Sequence, residues 1–219
     1  MNGMNRVRIC ASIVNGDLNA IRDVEPLVDL YEVRIDLIGD GWEKLVLQLR
    51  KPWIACNRIT EEGGQWKGNE ARRVEKLLQA VELGASLVDI ELRSRNLNKI
   101  VQAVKKRTKC IVSSHNLDKT PSVDEMKKTV QKQLDAGANI CKVVTTARSF
   151  EDNIAVLQLI REFPGLRLVS FAMGPLGSTS RILCPLAGGD FTYASIEKGK
   201  ESAPGQITVK ELAKIYKVI

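Results

Sequence analysis

Short apolar runs and amphipathic helical stretches alternate about eight times along these 219 residues, and no linker or low-complexity stretch interrupts the rhythm. A strand–helix–strand repeat builds parallel sheet, because each helix returns the chain to the edge where the next strand begins. Strands are predicted at residues 7–14, 31–38, 53–59, 87–93, 110–115, 140–146, 166–173 and 191–196. Between them, residues 69–83 place Ala71, Val74, Leu77, Leu78 and Val81 at helical spacing. Ser122-Val123-Asp124-Glu125 and Thr208-Val209-Lys210-Glu211 have the form of capping boxes, and Ser149 is the expected N-cap of a helix carrying Ile154, Leu157 and Ile160. Eight repeats predict an α/β chain forming a single-domain (β/α)8 TIM barrel over residues 1–219. No G-x-G-x-x-G or Walker loop favours an open doubly wound sheet.

Several function classes fall away on composition. No apolar run is long enough to cross a bilayer, and residues 1–5 lack the basic start and apolar middle of a signal peptide. A cytoplasmic protein with no membrane partner is expected. Cys10, Cys56, Cys110, Cys141 and Cys184 form no C-x-x-C pair and read as small buried thiols, with neither a disulfide framework nor a metal site expected. The formal charge of +7 raises nucleic acid as a partner. The longest basic cluster, Lys105-Lys106-Arg107-Thr108-Lys109, has no interleaved aromatics and ends a helical stretch, where cations complement the helix dipole. Nucleic acid is therefore not expected; an anionic small molecule drawn to a positive cleft is.

Charges inside the strands point to function. In Glu32-Val33-Arg34-Ile35-Asp36-Leu37, alternation puts Glu32, Arg34 and Asp36 on one face and the apolar residues on the other; Asp89, Glu91 and Arg93 repeat the pattern. Inside a barrel the charged set faces the lumen, close to where this fold gathers its active sites. Lys142 interrupts the apolar run Ile140-Cys141-Lys142-Val143-Val144. A lysine buried there snorkels, pairs or loses its proton, and a neutral amine attacks carbonyl carbon. His115, the sole histidine, ends the preceding strand, about 5 Å away across one strand spacing. An imidazole beside a carbonyl-trapping amine makes a proton shuttle next to an electron sink.

In these residues the chain resembles the type I 3-dehydroquinate dehydratases, over essentially its whole length. Glu32-x-Arg34-x-Asp36 is similar to that family's charged strand, and Arg58-Ile59-Thr60-Glu61-Glu62-Gly63-Gly64 to its R-x-x-x-E-G-G segment. Ser114-His115 with Lys119-Thr120-Pro121 resembles its histidine loop, and Lys142 falls where its imine lysine does. Met173-Gly174, Ser180-Arg181 and Ser202-Ala203-Pro204-Gly205-Gln206 follow in register, and Ser12 takes the place of its first-strand serine. Asn116 and Leu117 depart from the usual acidic and aromatic residues, and the compact chain resembles the smaller archaeal members.

The resemblance implies dehydration of 3-dehydroquinate to 3-dehydroshikimate in the shikimate pathway, without cofactor or metal. It implies a Schiff base on Lys142, general acid/base work by His115 and a tuning role for Glu62. It places Arg181 on the substrate carboxylate, with Glu32, Arg34 and Arg58 on ring hydroxyls and Asp36 steadying Arg34. Ser12 joins the substrate-binding set, as do Ser202 and Gln206 on a closing loop. Two alternatives stay open: another Schiff-base lyase such as an aldolase, with a phosphate site among Gly174, Gly177, Gly188 and Gly189, and a binding barrel without catalysis. The helices do not choose between monomer and homodimer.

Overall fold

The computed structural model describes residues 7–219; residues 1–5, where a leader was sought, lie outside them. The elements follow the β/α rhythm: β1 (Ile9–Ile13), α1 (Leu18–Val24), β2 (Leu30–Arg34), α2 (Ile35–Ile38), α3 (Trp42–Val46), β3 (Trp53–Cys56) and α4 (Glu70–Glu82). Then come β4 (Leu87–Glu91), α5 (Leu97–Lys105), β5 (Lys109–His115), α6 (Val123–Asp135), β6 (Ile140–Thr146), α7 (Glu151–Glu162), β7 (Leu168–Met173), α8 (Ser178–Leu183), β8 (Thr192–Ser195) and α9 (Val209–Ile215). All pairings are parallel, in the order β7-β6-β5-β4-β3-β2-β1-β8, so the sheet curls into a nearly closed (β/α)8 barrel. At the β7/β8 seam the Asp190 N–H donates to the Leu168 carbonyl at 2.9 Å, and Phe171 meets Tyr193 edge-on at 6.0 Å.

Strand register stacks the lumen in layers. Ser12 pairs with Glu32, Cys56 with Asp89, and Ser113 with Lys142, which sets a polar tier on one pleat face. Two residues earlier on these strands, Cys10, Leu30, Ile54, Leu87, Ile111 and Ile140 form a buried apolar plug. Ala11, Ile13, Val33, Ala55, Val88, Ile90 and Val112 face outward and pack beneath helical Ile21, Leu77, Val101 and Leu212. Each fully buried aliphatic side chain contributes about 1.5–3 kcal/mol, so the plug and outer shell hold a floor that the polar tier does not have to stabilise.

The structure departs from the sequence expectations at the carboxyl ends of strands. β2 stops at Arg34, and Asp36 sits in the one-turn α2. Its carboxylate still meets Arg34, because the helical turn folds it back within 2.7 and 2.9 Å of the guanidinium. β4 stops at Glu91, so Arg93 is exposed rather than lumenal. On α4 the buried stripe is Arg73, Leu77 and Ala80, with Ala71 exposed. Both capping boxes are formed. Ser149 is not a cap: α7 begins after Phe150, and the Asp152 carboxylate accepts the Arg148 and Ser149 N–H groups instead. All five cysteines are free and buried.

These caps give a direct stability contrast. Ser122→Ala and Thr208→Ala should each cost about 1 kcal/mol, the usual worth of an N-cap, and lower the melting temperature by about 2–4 °C in a chain of this size. Ser149→Ala should stay within about 0.5 kcal/mol, as surface substitutions away from such features do. Thermal unfolding of the three variants checks the contrast.

Candidate active site

One cavity of about 350 Å³ opens at the carboxyl ends of the strands, and Glu32, Arg34, Arg58, Glu62, His115 and Lys142 all line it. β6 delivers Lys142, which is only 4% exposed. Its Nζ donates to Asp89 Oδ2 at 2.9 Å, lies 3.5 Å from Glu32 Oε1 and sits 4.2 Å from the centre of the Tyr193 ring. Of the fates open to a buried lysine, pairing is the one realised here. Among the described residues, Glu32, Cys56 and Asp89 alone bring three ligand-type atoms within 4.8 Å of one another, but the cation lodged at their two carboxylates is the ammonium of Lys142.

His115 stands beside Val144 in the β5–β6 ladder, two residues above the level of Lys142. Both side chains therefore reach the same pocket at different heights. Gly63 takes the left-handed conformation, and a Cβ on Gly64 would lie 2.0 Å from the Arg58 carbonyl, so this glycine pair folds the loop tightly against Arg58 and brings Glu62 inward. Glu62 Oε2 accepts the His115 backbone N–H at 3.0 Å and lies 2.8 Å from His115 Nδ1. Burial pushes the Glu62 carboxyl up to about 7, against the opposing pull of Arg58. Burial, then Arg58 and Lys142, push the imidazole well below its ordinary value, which keeps it neutral. Above about 7, where Glu62 is ionised, Nδ1–H is directed at it and the lone pair of Nε2 remains free to take a proton.

Asp89 organises the amine. Burial raises its carboxyl, but Arg58, Lys142 and the Ser113 hydroxyl outweigh that and hold it well below the usual carboxylate range. Arg58 is engaged in the same tier: it lies 2.8 Å from Asp89 and 3.0 Å from Glu91, and donates to Ser113 Oγ at 2.7 Å. Arg34 is held by Asp36, which also accepts the backbone N–H groups of Arg58 and Gln65. Sequence reading put Asp89 and Glu91 in the lumen yet gave them no part in the site, although their alternation was the available signal.

The segment after β8 closes the pocket. Gln206 accepts from the Ser202 N–H at 2.8 Å and donates to Ser12 Oγ at 3.2 Å, and Ser12 donates to Glu32 Oε2 at 3.0 Å. Gly205 has φ +74°, and a Cβ there would lie 2.1 Å from the Gly174 carbonyl, so only glycine lets the loop cross at this height. Ser12 lies below the cavity and touches it only through Glu32 and Gln206. Leu117 lines the mouth, while Asn116 caps its own turn by accepting from the Asp118 and Lys119 N–H groups.

Arg181 is the least compensated charge in the site. It is 1% exposed and its guanidinium lies 4.4 Å above the Phe171 ring. Its Nε has no hydrogen-bond partner among the described residues, and one Nη2 contact to the Pro204 carbonyl is long at 3.4 Å. Burial pushes the guanidinium down to about 10, against a weaker opposing pull from Glu32. A planar guanidinium fork so placed has the geometry that carboxylates bind bidentately. The amides of the glycines considered for phosphate are otherwise employed: the N–H groups of Gly174, Gly177, Gly188 and Gly189 donate to the carbonyls of Pro204, Gly174, Pro185 and Cys184 at 3.1, 3.0, 3.3 and 2.8 Å.

A barrel with a buried lysine, a neutral histidine and a weakly compensated arginine around one cavity has the make-up of an enzyme active site. The model of the type I 3-dehydroquinase family matches residues 7–219, and the chain belongs to that family. It is 44% identical over 189 residues to a 3-dehydroquinate dehydratase of Dehalococcoides mccartyi, covering 86% of this chain and 85% of the relative. It is 36% identical to one from Methanocaldococcus jannaschii, covering 96% of this chain and 98% of the relative. Among solved structures, the 3-dehydroquinate dehydratase of Aquifex aeolicus superposes with a TM-score of 0.81 at 28% identity, covering 97% of this chain and 99% of that one. That of Geobacillus kaustophilus gives 0.83 at 27%, covering 98% and 92%.

The Glu62 carboxyl makes a pH prediction. Its value rises from 4.5 to about 7 on folding, so the unfolded chain releases this proton first as pH climbs. The stability it contributes is whole below 4.5 and is lost on approaching 7. Glu62→Gln cannot ionise, so its stability relative to the parent should increase across that window. Urea unfolding at pH 4.5, 5.5 and 7 measures this, and a constant difference would contradict the assigned environment.

Proposed function

We propose that this chain is a 3-dehydroquinate dehydratase of the shikimate pathway that works through a Schiff base on Lys142, with His115 moving the protons. The observation that carries the reading is the shared cavity: the Lys142 amine and the His115 imidazole open into it, and Arg181 lines it with its Nε free of hydrogen bonds among the described residues. No metal or cofactor is invoked. The barrel is read as one catalytic unit acting on a small substrate, in the cytoplasm, with nucleic acid not among its partners. The described residues include no helix long and apolar enough to cross a membrane.

Removing a proton from the carbon beside a ketone is difficult because negative charge accumulates on oxygen. The Lys142 ammonium gives up one proton and its neutral amine adds to the ketone carbon; that proton returns to the carbinolamine hydroxyl, which leaves as water, so a protonated iminium remains. His115 Nε2 then takes the proton from the neighbouring carbon, and its electron pair moves onto the iminium nitrogen as an enamine. The enamine expels the hydroxyl, which leaves as water with the proton His115 had collected. Hydrolysis of the iminium releases 3-dehydroshikimate and restores the amine. Glu62 keeps the imidazole in the tautomer that this exchange needs. Arg181 grips the substrate carboxylate, while Glu32, Arg34 and Arg58 offer donors and acceptors to the ring hydroxyls. Ser202 and Gln206 close the cavity, with Ser12 bracing Gln206 from below and excluding water.

Steady-state kinetics separate these roles. Lys142→Ala should abolish turnover while the barrel still folds, and activity within about tenfold of the parent, a barrier change of roughly 1.4 kcal/mol, would refute covalent catalysis by this amine. His115→Ala should lower kcat by more than about 10²–10⁴-fold, the usual worth of one acid–base group, because it serves two steps. Arg181→Lys retains charge without the planar fork, so kcat/KM should fall by roughly 10–100-fold with KM raised, the size of one charge-assisted contact. An unchanged kcat/KM would remove Arg181 from the carboxylate.

A further inference from the structure

Arg73 is a cation that the site does not obviously require. It projects from α4, outside the barrel, and is completely buried in the middle of a helix stripe that packs on the sheet. Glu70 clamps it through two hydrogen bonds of 2.8 and 2.9 Å, Ser94 accepts a third, and the Asn57 carbonyl a fourth. Its Nη1 then reaches Glu91 Oε2 at 2.5 Å. From there the charges alternate inward without a gap. Glu91 Oε1 lies 3.0 Å from Arg58, Arg58 lies 2.8 Å from Asp89, and Asp89 receives the Lys142 amine at 2.9 Å. Every member from Arg73 to Lys142 is buried, so water screens these charges little.

We propose that Arg73 is a positioning residue which, through Glu91, Arg58 and Asp89, sets how tightly the Lys142 amine holds its proton; this rests on the reading of Lys142 as the imine-forming group. Glu91 has two guanidinium partners, and Arg73 takes one share of its charge. Without Arg73, Glu91 draws Arg58 to itself and Asp89 is left less neutralised beside the amine. The amine would then keep its proton to higher pH, and the fraction able to attack a ketone at neutral pH would fall. Removing Glu91 instead leaves the lumen more positive and moves the amine the other way.

The other groups facing the amine set the baseline. Asp89 on β4, Glu32 on β2 and the ring of Tyr193 on β8 contact it. Arg58 follows β3, His115 ends β5, and the Cys10 thiol of β1 lies beneath. Arg34 and Arg181 line the same cavity above. None of these is altered by substitution at position 73, which changes only the outer end of the chain of charges.

The test reads the amine directly. Trace labelling of the unliganded protein with acetic anhydride between pH 6 and 11, quantified on the peptide containing Lys142, gives the pH at which that amine becomes reactive. Arg73→Gln should move this midpoint up by roughly one unit, as expected for one charge about 10–15 Å away at an effective dielectric near 20. Glu91→Gln should move it down, and the double variant should return close to the parent. Arg73→Lys keeps the charge but loses the clamp on Glu70, so it should melt earlier yet hold the parental midpoint. A merely structural role predicts the opposite grouping, with both position-73 variants unstable and neither shifted, and that result overturns the proposal. If Arg73→Gln does not fold, Glu91→Gln carries the test, and an unmoved or raised midpoint there also overturns it. The pH profile of kcat/KM then separates the two readings: a midpoint that moves in labelling while the profile stays fixed faults the role of Lys142, not that of Arg73.

Discussion

The structure turns on the burial of one ammonium group. An isolated charge the size of the Lys142 head group is strongly unfavourable in a protein interior unless carboxylates meet it. Asp89 and Glu32 meet it, and they in turn need cations, which Arg58 supplies alongside the hydroxyls of Ser113 and Ser12. The demand propagates outward through Glu91 to Arg73 on a helix outside the barrel. Placing an amine at the centre of the lumen thus dictates residue types on β1, β2, β4, β5 and β6, just after β3, and on α4. The apolar plug of Cys10, Leu30, Ile54, Leu87, Ile111 and Ile140 makes this tolerable, because it stabilises the barrel just beneath the charged tier.

A second balance operates around His115. A histidine paired with an ionised carboxylate would ordinarily gain a proton, but here burial and the nearby cations outweigh Glu62 and leave the imidazole neutral. The two basic groups of the site are treated oppositely: the amine is handed two carboxylates, while the imidazole is desolvated with Arg58 and Lys142 nearby. Environments that diverge in this way let one pocket hold a cation ready to become a nucleophile next to a base ready to receive a proton. Arg181 completes the arrangement as a buried cation whose ring contact with Phe171 is its main support.

Much of this was legible in the chain before any coordinates. Period-two alternation in Glu32-Val33-Arg34 and the lysine inside Ile140-Cys141-Lys142-Val143-Val144 follow from local pattern, and the barrel keeps local pattern because every strand is covered on its outer face. Ser122 and Thr208 reveal their helices because capping is settled within four residues. Arg73 was illegible for the complementary reason: an arginine on a charged helix reads as solvent-facing, and only the three-dimensional path to Glu91 explains its burial. Asp36 reaches the face that alternation predicts by another path, since alternation ends at Arg34 and a helical turn returns the carboxylate. Ser149 does not cap because α7 begins after Phe150, and Asp152, three residues on, accepts the Arg148 and Ser149 N–H groups. The seam between β7 and β8, closed by Asp190 and the Phe171–Tyr193 contact, depends on the tilt of the whole sheet and has no sequence signature.

The central claim is that the ammonium held by Asp89 and Glu32 becomes a covalent catalyst. Incubation with 3-dehydroquinate and sodium borohydride, followed by digestion and peptide mass mapping, tests this most directly. The account predicts one stable adduct per chain, carried on the peptide containing Lys142, with activity lost in proportion to its formation. Full activity after borohydride treatment, or an adduct on any other lysine, would contradict it.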